Sequence, residues 1–402
     1  MFRVSSSSFY TSITADLNAR QRELQHLNAQ MTSGKRIVTA ADDPVGAANA
    51  ADLRSALSRL DQFKQNQSYS RHILALGETA VNSAIDAASA ARDSLMAAGN
   101  GAYTNADRAS LADQLQSVLD RMVGVANSSD GEGGYLFAGG RDGSTPFAQL
   151  GAQVDYRGGA LGQTIEIAGG RFLPVKFAGD ALFGAMRPGN GSFVTAAAAT
   201  NTGTGSLDAG SVTQPAALTG SAYEIRIVDN AGAKSYQVYK DGAVLGTPQA
   251  YQAPATIDVD GMRVKLEGEP AVGDRFSLTP ASSQSVFDTL GQAIELLRRP
   301  VDGDPAARAR YNTELAGLIA SVDGAIAHFQ GTRSDMGAGL AELDTYASLN
   351  DDRILQQKTR LSSIEDLDYA SAATQVAANT LASQAAMQSY SMVSRLSLFN
   401  YL

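Results

Sequence analysis

The chain has 402 residues, a net charge of −9, and only 18% charged residues. That length holds two or three domains. An acidic surface is a poor match for phosphate backbones, so nucleic acid is not an expected partner. There is no Cys and only three His, His26, His72 and His328. Disulfide frameworks, thiolate metal sites and Cys nucleophiles are therefore excluded. No apolar run approaches the roughly 18 residues of a membrane span. The Ser-rich start from Met1 to Leu17 lacks the apolar stretch of a cleaved secretory signal.

Taken in chain order, the first flank is predicted to be helical. Tyr10, Ile13, Leu17, Leu24, Leu27 and Met31 recur at heptad-like intervals. A break runs from Ser33-Gly34-Lys35 to Asp42-Asp43-Pro44. The stripe resumes at Leu53, Leu57 and Leu60, then at Ile73 and Leu76. Thr104 with Asp107 has capping-box spacing and begins a helix carrying Leu111, Leu115, Val118, Met122 and Val125.

Residues 135–284 hold 23 of the 39 Gly and 8 of the 11 Pro, so the middle is expected to be strands and turns. Ile165 and Ile167, Gly169-Gly170, then Phe172 suggest a hairpin. Tyr223, Ile225 and Ile227 alternate with polar residues. Ile257 and Val259 lead through Asp260-Gly261 to Met262, Val264 and Leu266, the sharpest hairpin signal in the chain. Residues 186–215 are mostly Ala, Gly, Thr and Ser and read as a mobile linker between two β modules.

Helices return in the second flank. Ser285 precedes Phe287, Leu290, Ile294 and Leu297, and Pro300 stops that helix. Asp304-Pro305 is an N-cap followed by Pro at the first helical position. A narrow stripe then runs from Leu340 and Leu343 through Asn350, Ile354 and Gln357 to Leu361 and Ile364. A last one takes Leu381, Ala385, Met392, Leu396 and Phe399. The expected fold is multidomain α+β: an elongated helical bundle or coiled coil from both chain ends, with an inserted β-rich region. Four regions follow. Residues 1–40 with 370–402 are terminal coiled-coil helices, and 41–134 with 285–369 form a rod-like helical domain. Residues 135–185 begin the β-rich part, and 186–284 are a β insertion or second β module.

No catalytic constellation is legible, and no cofactor or metal is implied. The three His lack a recognisable partner in sequence. Asp42-Asp43 and Asp351-Asp352 are adjacent pairs, which on a helix point apart and read as caps or solvated residues. Ser33-Gly34-Lys35 lacks the remainder of a phosphate loop. Asp130-Gly131-Glu132-Gly133 lacks the alternating ligands of a calcium loop.

The terminal stripes carry a stronger implication. Ordering Val376 to Leu402 costs on the order of 1 kcal/mol per residue in backbone entropy. The large apolar residues there are Val376, Leu381, Met392, Val393, Leu396, Leu398 and Phe399. Each returns roughly 1.5–3 kcal/mol only when fully buried. A lone helix pair buries one face, so the ends are expected to order when neighbouring copies supply the rest. A complete intramolecular bundle is the alternative. Ile13, Leu17, Leu24 and Leu27, with Met392, Leu396, Leu398 and Phe399, are the candidate assembly contacts.

Several stretches resemble the flagellin family. Met31–Ile37 leading into Ala41–Ala47 is similar to the break between that family's N-terminal helices, and Asn105–Leu111 is similar to another of its segments. Pro44, Tyr135–Gly140, Ser334–Ala338 with Leu343-Asp344, and the ending Leu396–Leu402 resemble the family's junction member more than a filament flagellin. The resemblance implies a non-enzymatic, extracellular part of the bacterial flagellum, exported without a cleaved signal by the flagellar type III apparatus. Its partners would be copies of itself in a ring, hook-associated protein 1, flagellin and an export chaperone. A filament flagellin is the alternative, and an extracellular enzyme or carbohydrate-binding protein a third reading.

Overall fold

The computed structural model describes residues 6–141, 143–151 and 153–399; side chains of residues 6, 7, 9, 10 and 393–399 fall outside that description. The fold is α+β, helical toward both ends and β-rich in the middle. The helices are α1 (Ser6–Ser33), α2 (Pro44–Ala98), α3 (Asn105–Ala126), α4 (Val286–Arg298), α5 (Pro305–Glu365) and α6 (Tyr369–Phe399). The chain divides into two compact units, Met1–Gln65 with Thr345–Leu402, and Asn66–Asp344.

In the Asn66–Asp344 unit the helix starts are set by local chemistry. Thr104 and Asp107 form a reciprocal capping box on α3, and Ser285 and Asp288 form another on α4. The Asp304 carboxylate accepts the amides of Ala306 and Ala307, both at 3.0 Å, ahead of α5. α3 packs against α4, burying Leu115, Leu119 and Met122 with Leu290, Ile294 and Leu297. Phe183 is the hub of an aromatic cluster, with ring centroids 5.4 Å from Phe137, 5.4 Å from Phe147, 5.8 Å from Phe287 and 5.6 Å from Phe329. Arg108 is fully buried. It donates to Asp302 at 2.8 Å and to the Tyr103 carbonyl at 2.8 Å, tying the start of α3 to the α4–α5 connection.

The first β-rich part is two hairpins. These are β1 (Phe147–Leu150) with β2 (Gln153–Tyr156), and β3 (Gln163–Ala168) with β4 (Arg171–Lys176). The second is one two-sheet module. Its strands are β5 (Phe193–Ala197), β6 (Ser206–Leu207), β7 (Ser211–Val212), β8 (Tyr223–Asn230), β9 (Ala233–Lys240), β10 (Ala243–Ala250), β11 (Ala255–Val259), β12 (Met262–Glu267) and β13 (Arg275–Pro280). One antiparallel sheet has the order β10-β9-β8-β13-β5. The other has β11-β12-β6, with β7 also on β12. Ile225, Ile227, Phe276, Ile257, Val264 and Leu266 fill the space between them. The Asp260-Gly261 turn has φ of 42° and 81°, the pair of positive values that matches strand twist.

Residues 186–215 are therefore not a linker between modules. They supply the β5 edge of one sheet and the β6 and β7 flank of the other. Their small residues offer few apolar anchors, so side-chain amides and carboxylates do the anchoring. Asn201 exchanges two 2.8 Å hydrogen bonds with the backbone of Arg275. The buried Asp274 carboxylate accepts the amides of Thr202, Gly203 and Ala271.

Candidate functional site: the terminal helices and their joint

All parts of this site lie in the Met1–Gln65 and Thr345–Leu402 unit. The end of α1, the start of α2, the end of α5 and the start of α6 meet at one joint. The backbones of Lys35 and Asp366 pair in an isolated antiparallel β-bridge. The Arg36 amide donates to the Glu365 carbonyl at 2.6 Å, and the Leu367 amide to the Gly34 carbonyl at 3.1 Å. Tyr369 Oη donates to the Met31 carbonyl at 3.2 Å. Gly34 turns the chain at φ +69°, where a Cβ would also sit 3.1 Å from Tyr369 Oη. Buried Glu365 is ion-paired with Lys35 at 3.3 Å and with Arg54.

The adjacent aspartates have separate duties here. Asp43 accepts the Gly46 amide at 2.8 Å and caps α2, with Pro44 in the first turn. The Arg36 guanidinium donates to Asp43 at 3.1 Å and to the Ile364 carbonyl at 2.9 Å. Asp42 accepts the amides of Thr39 at 2.8 Å and Val38 at 2.9 Å, the Thr39 hydroxyl, and a 3.0 Å contact with His26. The Thr39 amide bond above all pulls the Asp42 carboxyl down to about 2. The Gly46 amide and Arg36 likewise hold Asp43 below the ordinary carboxylate value. The joint is a folded lock of caps, backbone bridges and ion pairs. No acidic or His cluster able to hold a metal occurs among the described residues.

From this joint α1 and α6 extend side by side with antiparallel chain directions and pack along one another. On α1, Leu27 is buried, and Ile13, Leu17 and Leu24 are half-buried. On α6 the covered line is Ala372, Val376, Asn379, Ser383 and Ala386, with Ala382 also half-buried beside Ser383. Their spacing of 4, 3, 4 and 3 is a heptad seam built from small residues. The large apolar residues lie on the other side. Leu381 is 69% exposed, Met387 55% and Met392 59%, whereas Tyr390, on the line of the seam, is only just exposed. The side chains of Leu396, Leu398 and Phe399 lie outside the described residues.

The structure thus brings Ile13, Leu17, Leu24 and Leu27 to the inside of the helix pair and leaves Met392 outside. Sequence reading passes over the α6 seam because Ala, Ser and Asn do not register as an apolar stripe. Its 4-3-4-3 spacing was the available signal. Further apolar exposure occurs at Leu355 and Leu349 on α5, and at Val38 and Val45 near the joint. In the same unit Asn350 is buried, donating to the Leu60 carbonyl at 2.9 Å, so α2 and α5 pair through it. Covering what remains exposed of Leu381, Met387 and Met392 would return about 3–5 kcal/mol before the costs of association. The chemistry available to such a surface is packing.

Among the described residues no helix is long and apolar enough to cross a membrane. Residues 4–142 match the family described as the bacterial flagellin N-terminal helical region. Flagellar hook-associated protein 3 of Salmonella typhimurium is 24% identical over 397 residues, spanning 99% of this chain and 98% of that one. The crystal structure of flagellar hook associated protein-3 from Legionella pneumophila is similar at TM-score 0.73 and 27% identity, covering 78% of this chain and 98% of that one. The crystal structure of Xanthomonas campestris FlgL is similar at TM-score 0.68 and 30% identity, covering 77% of this chain and 99% of that one.

Proposed function

Because the chain belongs to the family of flagellar hook-associated protein 3, we propose that copies of it form a ring between hook-associated protein 1 and the flagellin filament. It is a structural hook-filament junction protein of the flagellum. The observation that carries the ring is the outward apolar face of α6, with Leu381, Met387 and Met392 exposed on a chain of net charge −9. A neighbouring subunit's helix would cover that face, so the mechanism is coupled packing without turnover.

The chain would reach its extracellular position through the flagellar export route, with an export chaperone shielding its apolar C-terminal helix. Residues 1–40 with 370–402 would gain order on assembly. Residues 41–134 with 285–369 would form the rod-like layer. The β-rich 135–185 and 186–284 would lie outermost. Ile13, Leu17, Leu24 and Leu27 would hold the pair together, and Met392, Leu396, Leu398 and Phe399 would contact neighbours. Gold-labelled antibody against this protein, viewed by electron microscopy on native cells, tests the reading. Label confined to the hook-filament boundary is expected. Label along whole filaments would make it a flagellin, and unlabelled flagella would defeat both readings.

A further inference from the structure

The chain contains nine Met and no Cys, so its thioethers are its only sulfur. Most of the described ones are shielded. Met122, Met186, Met262 and Met336 are all buried, and Met31 is half-buried on α1. Three are open to solvent. Met96 lies in the Asn66–Asp344 unit, whereas Met387 and Met392 are both exposed on α6, away from its covered seam. A peroxide therefore meets thioethers on the very surface that has to become buried.

We infer that Met387 and Met392 are oxidative modification sites, and that their conversion to sulfoxide by a peroxide renders the unassembled chain unfit to join the junction. The inference rests on the assembly reading above. A sulfur lone pair attacks one oxygen of hydrogen peroxide, the O–O bond breaks, and water leaves. The sulfur is oxidised by two electrons and the peroxide reduced by two. The product is a polar, chiral side chain in place of a flexible apolar one. On an exposed helix face this changes the isolated chain little. Inside a packed contact it places a polar oxygen where no partner exists. Once a neighbour covers the face, the same thioethers are shielded, so a finished junction resists what its subunits do not.

Purified full-length chain is treated with hydrogen peroxide and mapped by mass spectrometry of its peptides. Treated and untreated protein is then offered to flagella isolated from cells that lack it, and gold label at the hook end is counted. Met387, Met392 and Met96 should oxidise ahead of the four buried Met. Incorporation should fall by roughly tenfold, equal to about 1.4 kcal/mol of contact free energy. The Met387→Leu, Met392→Leu double variant should incorporate after peroxide at its own untreated level, whatever that level is, although its Met96 still oxidises. Equal oxidation of exposed and buried Met would overturn the inference. So would full incorporation of the oxidised chain, or a loss that persists in the double variant. Untreated chain that never labels the hook end would defeat the junction reading and this inference with it.

Discussion

The two compact units answer the same problem in opposite ways. In Asn66–Asp344 the core is built from large side chains, with Phe183 touching four other rings and two sheets closing over a shared core, while Leu150, Leu161 and Phe172 stay exposed. In the terminal unit, α1 and α6 meet through Ala372, Val376, Asn379, Ser383 and Ala386, while Leu381, Met387 and Met392 face outward. One unit builds its core from its own rings and sheets. The other sets the mostly small seam of α6 against Ile13, Leu17, Leu24 and Leu27 and leaves the larger Leu381, Met387 and Met392 of α6 exposed. An apolar residue is thus informative by its direction as well as its period.

That contrast can be broken most sharply at its two hubs. Phe183→Ala should cost about 3–5 kcal/mol in the Asn66–Asp344 unit, because the ring is enclosed by others. Urea unfolding followed by hydrogen exchange in that unit measures it. Leu27→Ala should cost roughly 2 kcal/mol and act only on the terminal unit, read as faster exchange in α1 and α6. A global loss of stability from Leu27→Ala would mean that the units do not unfold separately.

Acid sharpens the same division. Asp42 is an ordinary carboxyl, near 4, when unfolded and about 2 when folded. A depressed folded value contributes stability that is fully present above pH 4 and lost as pH falls toward 2. Asp43 shifts in the same direction. The joint should therefore loosen between pH 4 and 2, seen as amide exchange at Gly34 to Gly46. Asp42→Asn should flatten that dependence, and unchanged acid sensitivity in the variant would remove Asp42 as its source. A smaller effect is expected from Thr104→Ala, which deletes one member of a capping box and should cost about 1 kcal/mol in thermal unfolding.

Much of the fold was legible where the signal is local. The Thr104 and Ser285 caps, the Asp304-Pro305 start and the Asp260-Gly261 hairpin each rest on a side chain acting within a few residues of itself. Asp241-Gly242 has the same positive φ pair, yet its hairpin escapes notice because Gly246 and Pro248 break the alternation of β10. Residues 186–215 were misread for a different reason. Their strand partners lie far along the chain, β5 on β13, and their anchors are Asn201 and Asp274 rather than apolar residues. The buried Arg108 could not be anticipated either, since Asp302 meets it across 194 residues. At the candidate site, the α1 stripe was readable from its heptad spacing. The joint was readable only as a break, because Glu365, Arg54 and Arg36 come together through tertiary structure.

The most direct test of the outward face is Leu381→Glu. Glu is a good helix former at an exposed position, so the isolated chain should change by less than about 0.5 kcal/mol. The chain should melt like its parent and leave no gold label at the hook-filament boundary. A Leu381→Glu chain that melts like its parent and labels that boundary at the parental level would contradict the assembly role of α6.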